Sequence, residues 1–177
     1  MCVVTSVVIL GGGPGGYEAA LVAAKLGGDV TMVDRDGAGG SAVLTDCVPS
    51  KTLIATAEVM TSFAEAAELG VRLGVRAPDQ ALHAEAEHAL AVDMDAVDRR
   101  VLALARAQSA DIRAGVEAAG VRWHEGTGRL ETGCVVTAEL AGGGSEQLSA
   151  DAVLVATGAH PRVLPEAMPD GERILTW

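Results

Sequence analysis

The feature that most limits the architecture of this chain is a cluster of glycines at the point where one hydrophobic periodicity gives way to another. An apolar segment, Val3 to Leu10, runs into Gly11-x-Gly13-x-x-Gly16, and Glu18 to Leu26 follow as good helix formers stopped by Gly27 and Gly28. The segment DVTMVD then supplies a second short strand ending at Asp34. This completes a β-α-β unit, whose crossover makes the two strands parallel. Gly11 permits the sharp turn, Gly13 lets backbone approach a diphosphate, Gly16 lets helix pack on strand, and the helix N-terminus attracts the anion. Asp34 stands where an acidic side chain accepts hydrogen bonds from a ribose hydroxyl. These positions predict dinucleotide binding; they read the ADP half shared by FAD and NAD and do not separate the two.

A length of 177 residues suits one domain with a real core. Hydrophobic residues make up 49% of the chain and aromatic ones only 2%, so the core is assembled from Ala, Val and Leu. The net charge of −11 repels phosphate backbones and anionic headgroups, which argues against nucleic acid and membrane surfaces as partners. The opening MCVVTSVVIL has no basic start, is too short to span a bilayer and runs into glycines, so it reads as a strand. Cys2, Cys47 and Cys134 are odd in number and lack metal-ligand spacing; a reducing cytoplasm is the expected compartment.

Further along, the pattern predicts a helix from Ser50 to a stop at Gly70, with Pro49 in its first turn. A second is predicted from Asp95 to Ala119, where Val97, Val101, Leu104, Ala105, Ile112 and Val116 form one stripe and Gly120 ends it. Between them, APDQALHAEAEHALAVD reads as a surface excursion with some helix. His83 and His88 within it are spaced i, i+5, which does not stack two imidazoles on one helical face. No metal site is expected. VRWHEG reads as a third parallel strand, RLETGCVVTAELAGGGSEQLSAD as an antiparallel meander turned at Gly142 to Gly144, and AVLVATG as a buried strand ending at Gly158. His124 and His160 read as isolated surface or structural residues, and Cys134 as a packing residue.

The glycine fingerprint, GGSAVLTDCVPSK at Gly39 to Lys51 and VLVATGAHPR together resemble the flavoprotein disulfide reductases, the family of lipoamide dehydrogenase and glutathione reductase. The resemblance covers nearly the whole chain and implies a Rossmann-like α/β FAD-binding domain with a parallel sheet, flanking helices and an antiparallel β-meander. The family pattern is Gly-Gly-Thr-Cys, four further residues, then Cys-x-Pro-Ser-Lys, its two cysteines forming a redox disulfide. Gly39, Gly40, Cys47, Pro49, Ser50 and Lys51 match, whereas Ser41 replaces the threonine and Ala42 stands at the first cysteine. Cys47 therefore has no local partner for dithiol exchange.

The run from Gly39 to Thr52 and PDGERILTW at Pro169 to Trp177 are similar to a bacterial branch of that family that lacks the first cysteine and acts as an NAD(P)H-quinone reductase. This implies FAD as cofactor, NAD(P)H as electron donor, a quinone as acceptor, no thiol relay, and a homodimer at full length. Cofactor contacts are implied for Gly11, Gly13, Pro14, Gly15 and Gly16, for Asp34 and Arg35, and for Gly39, Gly40, Ser41 and Lys51. Gly128, Ala156, Thr157 and Gly158 complete the implied set, with Cys47 and Lys51 as the catalytic pair beside the flavin ring. Residues 1–160 would form an incomplete FAD-binding domain and 161–177 a linker toward an NAD(P)-binding domain not in this chain, which leaves the isolated chain inactive. The sheet would also lack the strand that pairs beside Val153 to Ala156. A dihydrolipoamide dehydrogenase-type disulfide reductase, a non-catalytic FAD- or NAD-binding fragment and an NAD-dependent dehydrogenase stand as alternatives.

Overall fold

Parallel strands without intervening turns need helical crossovers, and the chain supplies them in order. The computed structural model describes residues 4–66, 68–71 and 91–176. Its elements are β1 (Ser6–Leu10), α1 (Pro14–Lys25), β2 (Asp29–Asp34), α2 (Gly40–Leu44), α3 (Cys47–Glu65), α4 (Met94–Ala118), β3 (Arg122–Leu130), β4 (Val135–Leu140), β5 (Ser145–Ser149) and β6 (Ala152–Val155). They build a mixed sheet in the order β5-β4-β3-β2-β1-β6. The expected α/β architecture with parallel strands, flanking helices and a meander is what forms. Most of the alanine-rich excursion, including His83 and His88, lies outside the described residues, as does Cys2.

β1, β2, the first part of β3 and β6 are parallel, whereas β3, β4 and β5 run antiparallel. β3 serves both arrangements because it changes partners at Gly126: Arg122 to Glu125 pair with β2, and Gly126 to Leu130 pair with β4. A side chain at Gly126 would strike the Glu139 carbonyl, so this close strand approach requires glycine.

Side chains of the parallel strands alternate between two cores. Ile9, Val30 and Met32 pack with Ala20 of α1, Val116 of α4 and Val121. On the opposite face Val8, Leu10 and Val33 pack with Val136 and Ala138 of β4, the meander folding back across the sheet. Gly128 makes this possible: a Cβ there would collide with Leu10 and lie 3.2 Å from Val33 Cγ1.

Three expectations are corrected. β6 is not a buried strand; it pairs only with β1 among the described residues, and Leu154 and Val155 remain 38% and 57% exposed. The stripe of α4 is narrower than its sequence suggests, because Val101, Ala105 and Val116 are buried while Leu104 sits on the flank at 42% exposure. α1 begins at Pro14 and α3 at Cys47, each one turn earlier than expected, since first-turn residues need no donor of their own and tolerate proline. No helix among the described residues is long and apolar enough to cross a membrane.

Candidate functional site

The C-terminal ends of β1, β2 and β6 open onto a cleft of about 540 Å³. Ligands collect at this end of open α/β sheets because helix N-termini and strand-end loops converge there. One wall is the turn from Gly11 to Gly15, a second is Asp34 to Asp36, and a third is Gly40, Ser41, Leu44 and Thr45. The remaining wall is Ala156 to His160, which follows β6. Segments distant in the chain are thus brought together.

The first turn is shaped by the sheet. Gly11 has φ +104°, and a Cβ there would meet the Ala156 carbonyl group. The Gly11 N–H donates to the Val33 carbonyl at 2.9 Å, and the Ala156 N–H to the Leu10 carbonyl at 2.8 Å. α1 then starts without a side-chain cap and without an acidic residue in its first turn. The N–H groups of Gly13 and Gly15 have no acceptor among the described residues. An uncapped helix start with open amides is a site for an anion.

Across the cleft, Gly40 lies so near Gly13 that a Cβ on it would come 2.9 Å from the Gly13 Cα. The Gly39 N–H donates to the Gly12 carbonyl at 2.8 Å, which ties the loop before α2 to the first turn. Two backbones therefore form a cradle that side chains would fill, beside the free amides of Gly13 and Gly15.

The Asp34 carboxylate is held by three backbone donors. Oδ2 accepts the Gly12 N–H at 2.7 Å, and Oδ1 accepts the N–H groups of Asp36 at 2.8 Å and Gly37 at 2.7 Å. A carboxylate offers about four lone-pair sites, so one remains for a ligand hydroxyl. Arg35 donates to both carboxylate oxygens of Asp36 at 3.1 and 3.2 Å. This bond holds the Asp36 carboxyl below its ordinary range, helped by the charge of Arg35 and of His160. The same bond raises the Arg35 guanidinium.

Gly11, Gly13, Pro14, Gly15, Asp34, Arg35, Gly40, Ser41 and Ala156 to Gly158 therefore share one cleft, whereas Gly16 and Gly39 do not line it. Cys47 and Lys51 do not line it; both are exposed on the first two turns of α3, just beyond Thr45. Gly128 sits in β3 opposite Ala138, where its bare Cα accommodates Leu10 and Val33. Cys134 is half-buried with its Sγ 3.7 Å from the Asp151 carbonyl. Sequence reasoning passed over Asp36, Leu44, Thr45, Ala159 and His160 as cleft residues. The position of His160 directly after the Ala-Thr-Gly strand end was the available signal for the last. His124 lies 3.5 Å from Glu146, away from the cleft.

The sequence pattern of the pyridine nucleotide-disulphide oxidoreductases matches residues 5–175. The chain belongs to this family. Among oxidoreductases of similar sequence, an NAD(P)H dehydrogenase (quinone) of Mycobacterium tuberculosis is 46% identical over 98% of this chain and 35% of its own length. Dihydrolipoyl dehydrogenase 2 of Haloarcula marismortui is 35% identical over 97% of this chain and 34% of its own. The crystal structure of LpdA from Mycobacterium tuberculosis superposes with a TM-score of 0.82 at 45% identity, covering 98% of this chain and 36% of that one. The chain thus spans about a third of the length of the curated relatives it matches. Membership in a pyridine nucleotide-disulphide oxidoreductase family accounts for the cradle, whose open amides suit the diphosphate of a dinucleotide.

Proposed function

We propose that this chain is the FAD-binding part of a flavoprotein oxidoreductase that carries electrons from NAD(P)H through FAD to a quinone without a redox disulfide. The observation that carries the reading is the cleft in which the uncapped start of α1, the anchored Asp34 and the Gly13–Gly40 cradle face one another. Ala42 on α2 removes the thiol that a disulfide mechanism needs, and the quinone dehydrogenase of Mycobacterium tuberculosis is among the similar sequences. When bound, the flavin supplies the redox chemistry itself.

In this reading Gly11, Gly13, Pro14, Gly15 and Gly16 hold the diphosphate, and Asp34 and Arg35 orient the adenosine ribose. Gly39, Gly40, Ser41 and Ala156 to Gly158 shape the wall along the rest of the cofactor, and Gly128 lets β3 pack close beneath the adenine end. Cys47 and Lys51 on α3 flank the ring, where Lys51 stabilises negative charge and the thiol stays outside any exchange chain. Residues 1–160 form the flavin domain and 161–177 lead toward the portion that binds NAD(P)H. A cytoplasmic homodimer is the assembly in which the whole protein works.

The test is reconstitution. The purified chain is incubated with FAD or NAD⁺ and desalted, and its visible spectrum is recorded. Retained flavin bands support the reading; retention of NAD⁺ without flavin overturns it in favour of an NAD-binding module. Peptide-level mass spectrometry after brief alkylation addresses Cys47, whose thiol is exposed. Saturating FAD should slow its labelling, and an unchanged rate would remove Cys47 from the ring's neighbourhood. NADH-quinone turnover by this chain alone should be negligible.

A further inference from the structure

Gly12 is not part of the glycine triplet, yet its peptide joins three segments. Its N–H donates to Asp34 and its carbonyl accepts from Gly39. It is buried, and its φ lies outside the left-handed region, so backbone strain is not what calls for glycine. The space its side chain would need is taken by the tip of an indole: a Cβ on Gly12 would lie 2.6 Å from Trp123 Cη2 and 3.1 Å from Asp34 Cγ.

Trp123 sits in β3 in register with Met32 and packs against the core formed by Ile9, Ala20 and Met32. The Arg113 guanidinium stands 5.6 Å from its ring centroid, within reach of a cation–π contact. Arg113 is itself held by Glu117 at 3.0 Å and Glu125 at 3.3 Å. The ring therefore has a fixed cation on one side and the Gly12 peptide at its tip. It does not line the cleft.

We propose that Trp123 is a positioning residue for the adenosine diphosphate half of the cofactor: its ring tip sets the Gly12 peptide and, through the bond at 2.7 Å, the Asp34 carboxylate. The proposal rests on the reading of the cleft as a dinucleotide site. Trp123→Phe keeps an aromatic body in the core and withdraws the atoms that reach Gly12. The Gly12 peptide then gains freedom, and a carboxylate that wanders binds a ribose less well.

A double-mutant cycle tests this, read by calorimetric titration of ADP and FAD into the purified chain, with urea unfolding of each unliganded variant in parallel. Trp123→Phe should weaken ADP binding about tenfold, as expected when a group that fixes the binding geometry is withdrawn. Gly12→Ala should weaken it about tenfold beside Trp123 and less than about threefold beside Phe, because the smaller ring makes room for the methyl group. Equal losses in both backgrounds, or a Trp123→Phe variant that binds ADP as the wild type does, would overturn the proposal, since groups in contact couple whereas independent ones add. Should Trp123→Phe fail to fold, Trp177→Phe leaves Trp123 as the single indole of the two. Its emission should then change on saturation with ADP, and constant emission with ADP bound would equally overturn the role. Wild-type chain that binds neither ADP nor FAD would instead defeat the reading of the cleft, an outcome distinct from equal affinities among variants.

Discussion

Ser6 and Asp151, at the starts of β1 and β6, are joined by a reciprocal set of hydrogen bonds. The Ser6 N–H and hydroxyl donate to Asp151 Oδ2 at 2.7 and 2.8 Å, and the Asp151 N–H donates back to Ser6 Oγ at 3.0 Å. Among the described residues β6 has one neighbouring strand, so this clasp and its ladder to β1 hold the Ala156 to His160 wall of the cleft in place. Asp151→Ala should increase hydrogen exchange of the Val153 to Val155 amides while β2 and the start of β3 stay protected. Unchanged protection in β6 would show that the ladder alone suffices.

The clasp also has a pH signature. The backbone and hydroxyl of Ser6 lower the Asp151 carboxyl below its ordinary value. A carboxyl lowered on folding contributes in full above its unfolded pKa, and the contribution is lost as pH falls through the folded one. Asp170 behaves alike: the N–H groups of Ile174, Glu172 and Arg173 bring it to about 2. Acid titration followed by amide chemical shifts should find the turn from Asp170 to Ile174 intact at pH 4 and released toward pH 2. Asp170→Asn should remove that transition.

Gly16 separates two opposing effects on α1. Alanine in a helix gains about 0.5–1 kcal/mol over glycine. Here, however, the Cβ would collide with the Gly11 carbonyl and lie 3.5 Å from Ile9 Cγ2, and such overpacking costs about 1–3 kcal/mol. The rigid carbonyl decides the sign. Gly16→Ala should lower the urea midpoint and weaken FAD retention together, whereas Gly15→Ala, with open space around it, should leave the midpoint unchanged or higher.

Among the described residues the outer side of β6 is one of two edges, with β5, at which this sheet can recruit another strand. Exposed Leu154 and Val155 lie on it, and an unpaired apolar edge templates association. Val155→Lys should reduce concentration-dependent light scattering without moving the urea midpoint. Equal scattering would place the self-association elsewhere.

Much of the site was legible because its chemistry is local. Glycines 11, 13 and 16 between a strand and a helix, with Asp34 closing the next strand, announce a turn, an anion at a helix start and an acceptor beyond it, whatever surrounds them. Gly40 and Ser41, and Ala156 to Gly158, added parts of two further walls through resemblance, whereas Cys47 and Lys51 lie outside the cleft. The bond from Gly12 to Asp34 and the contact between Trp123 and Gly12 were not legible, because they join segments distant in the chain whose relative placement no local pattern specifies.

The strand–turn–helix–strand order of the first unit, its parallel hand and the two long helices that follow were determined by the amino-acid sequence alone, since periodicity and backbone freedom are properties of short segments; the short helix α2 was not. Only the tertiary structure decided that β6 stays half exposed, that Gly128 serves the packing of the meander on Leu10 and Val33, and that an indole stands at the back of the first turn. Those outcomes depend on which surfaces meet once the sheet has assembled. Contact between surfaces is a property of the folded whole and has no signature in any single stretch of chain.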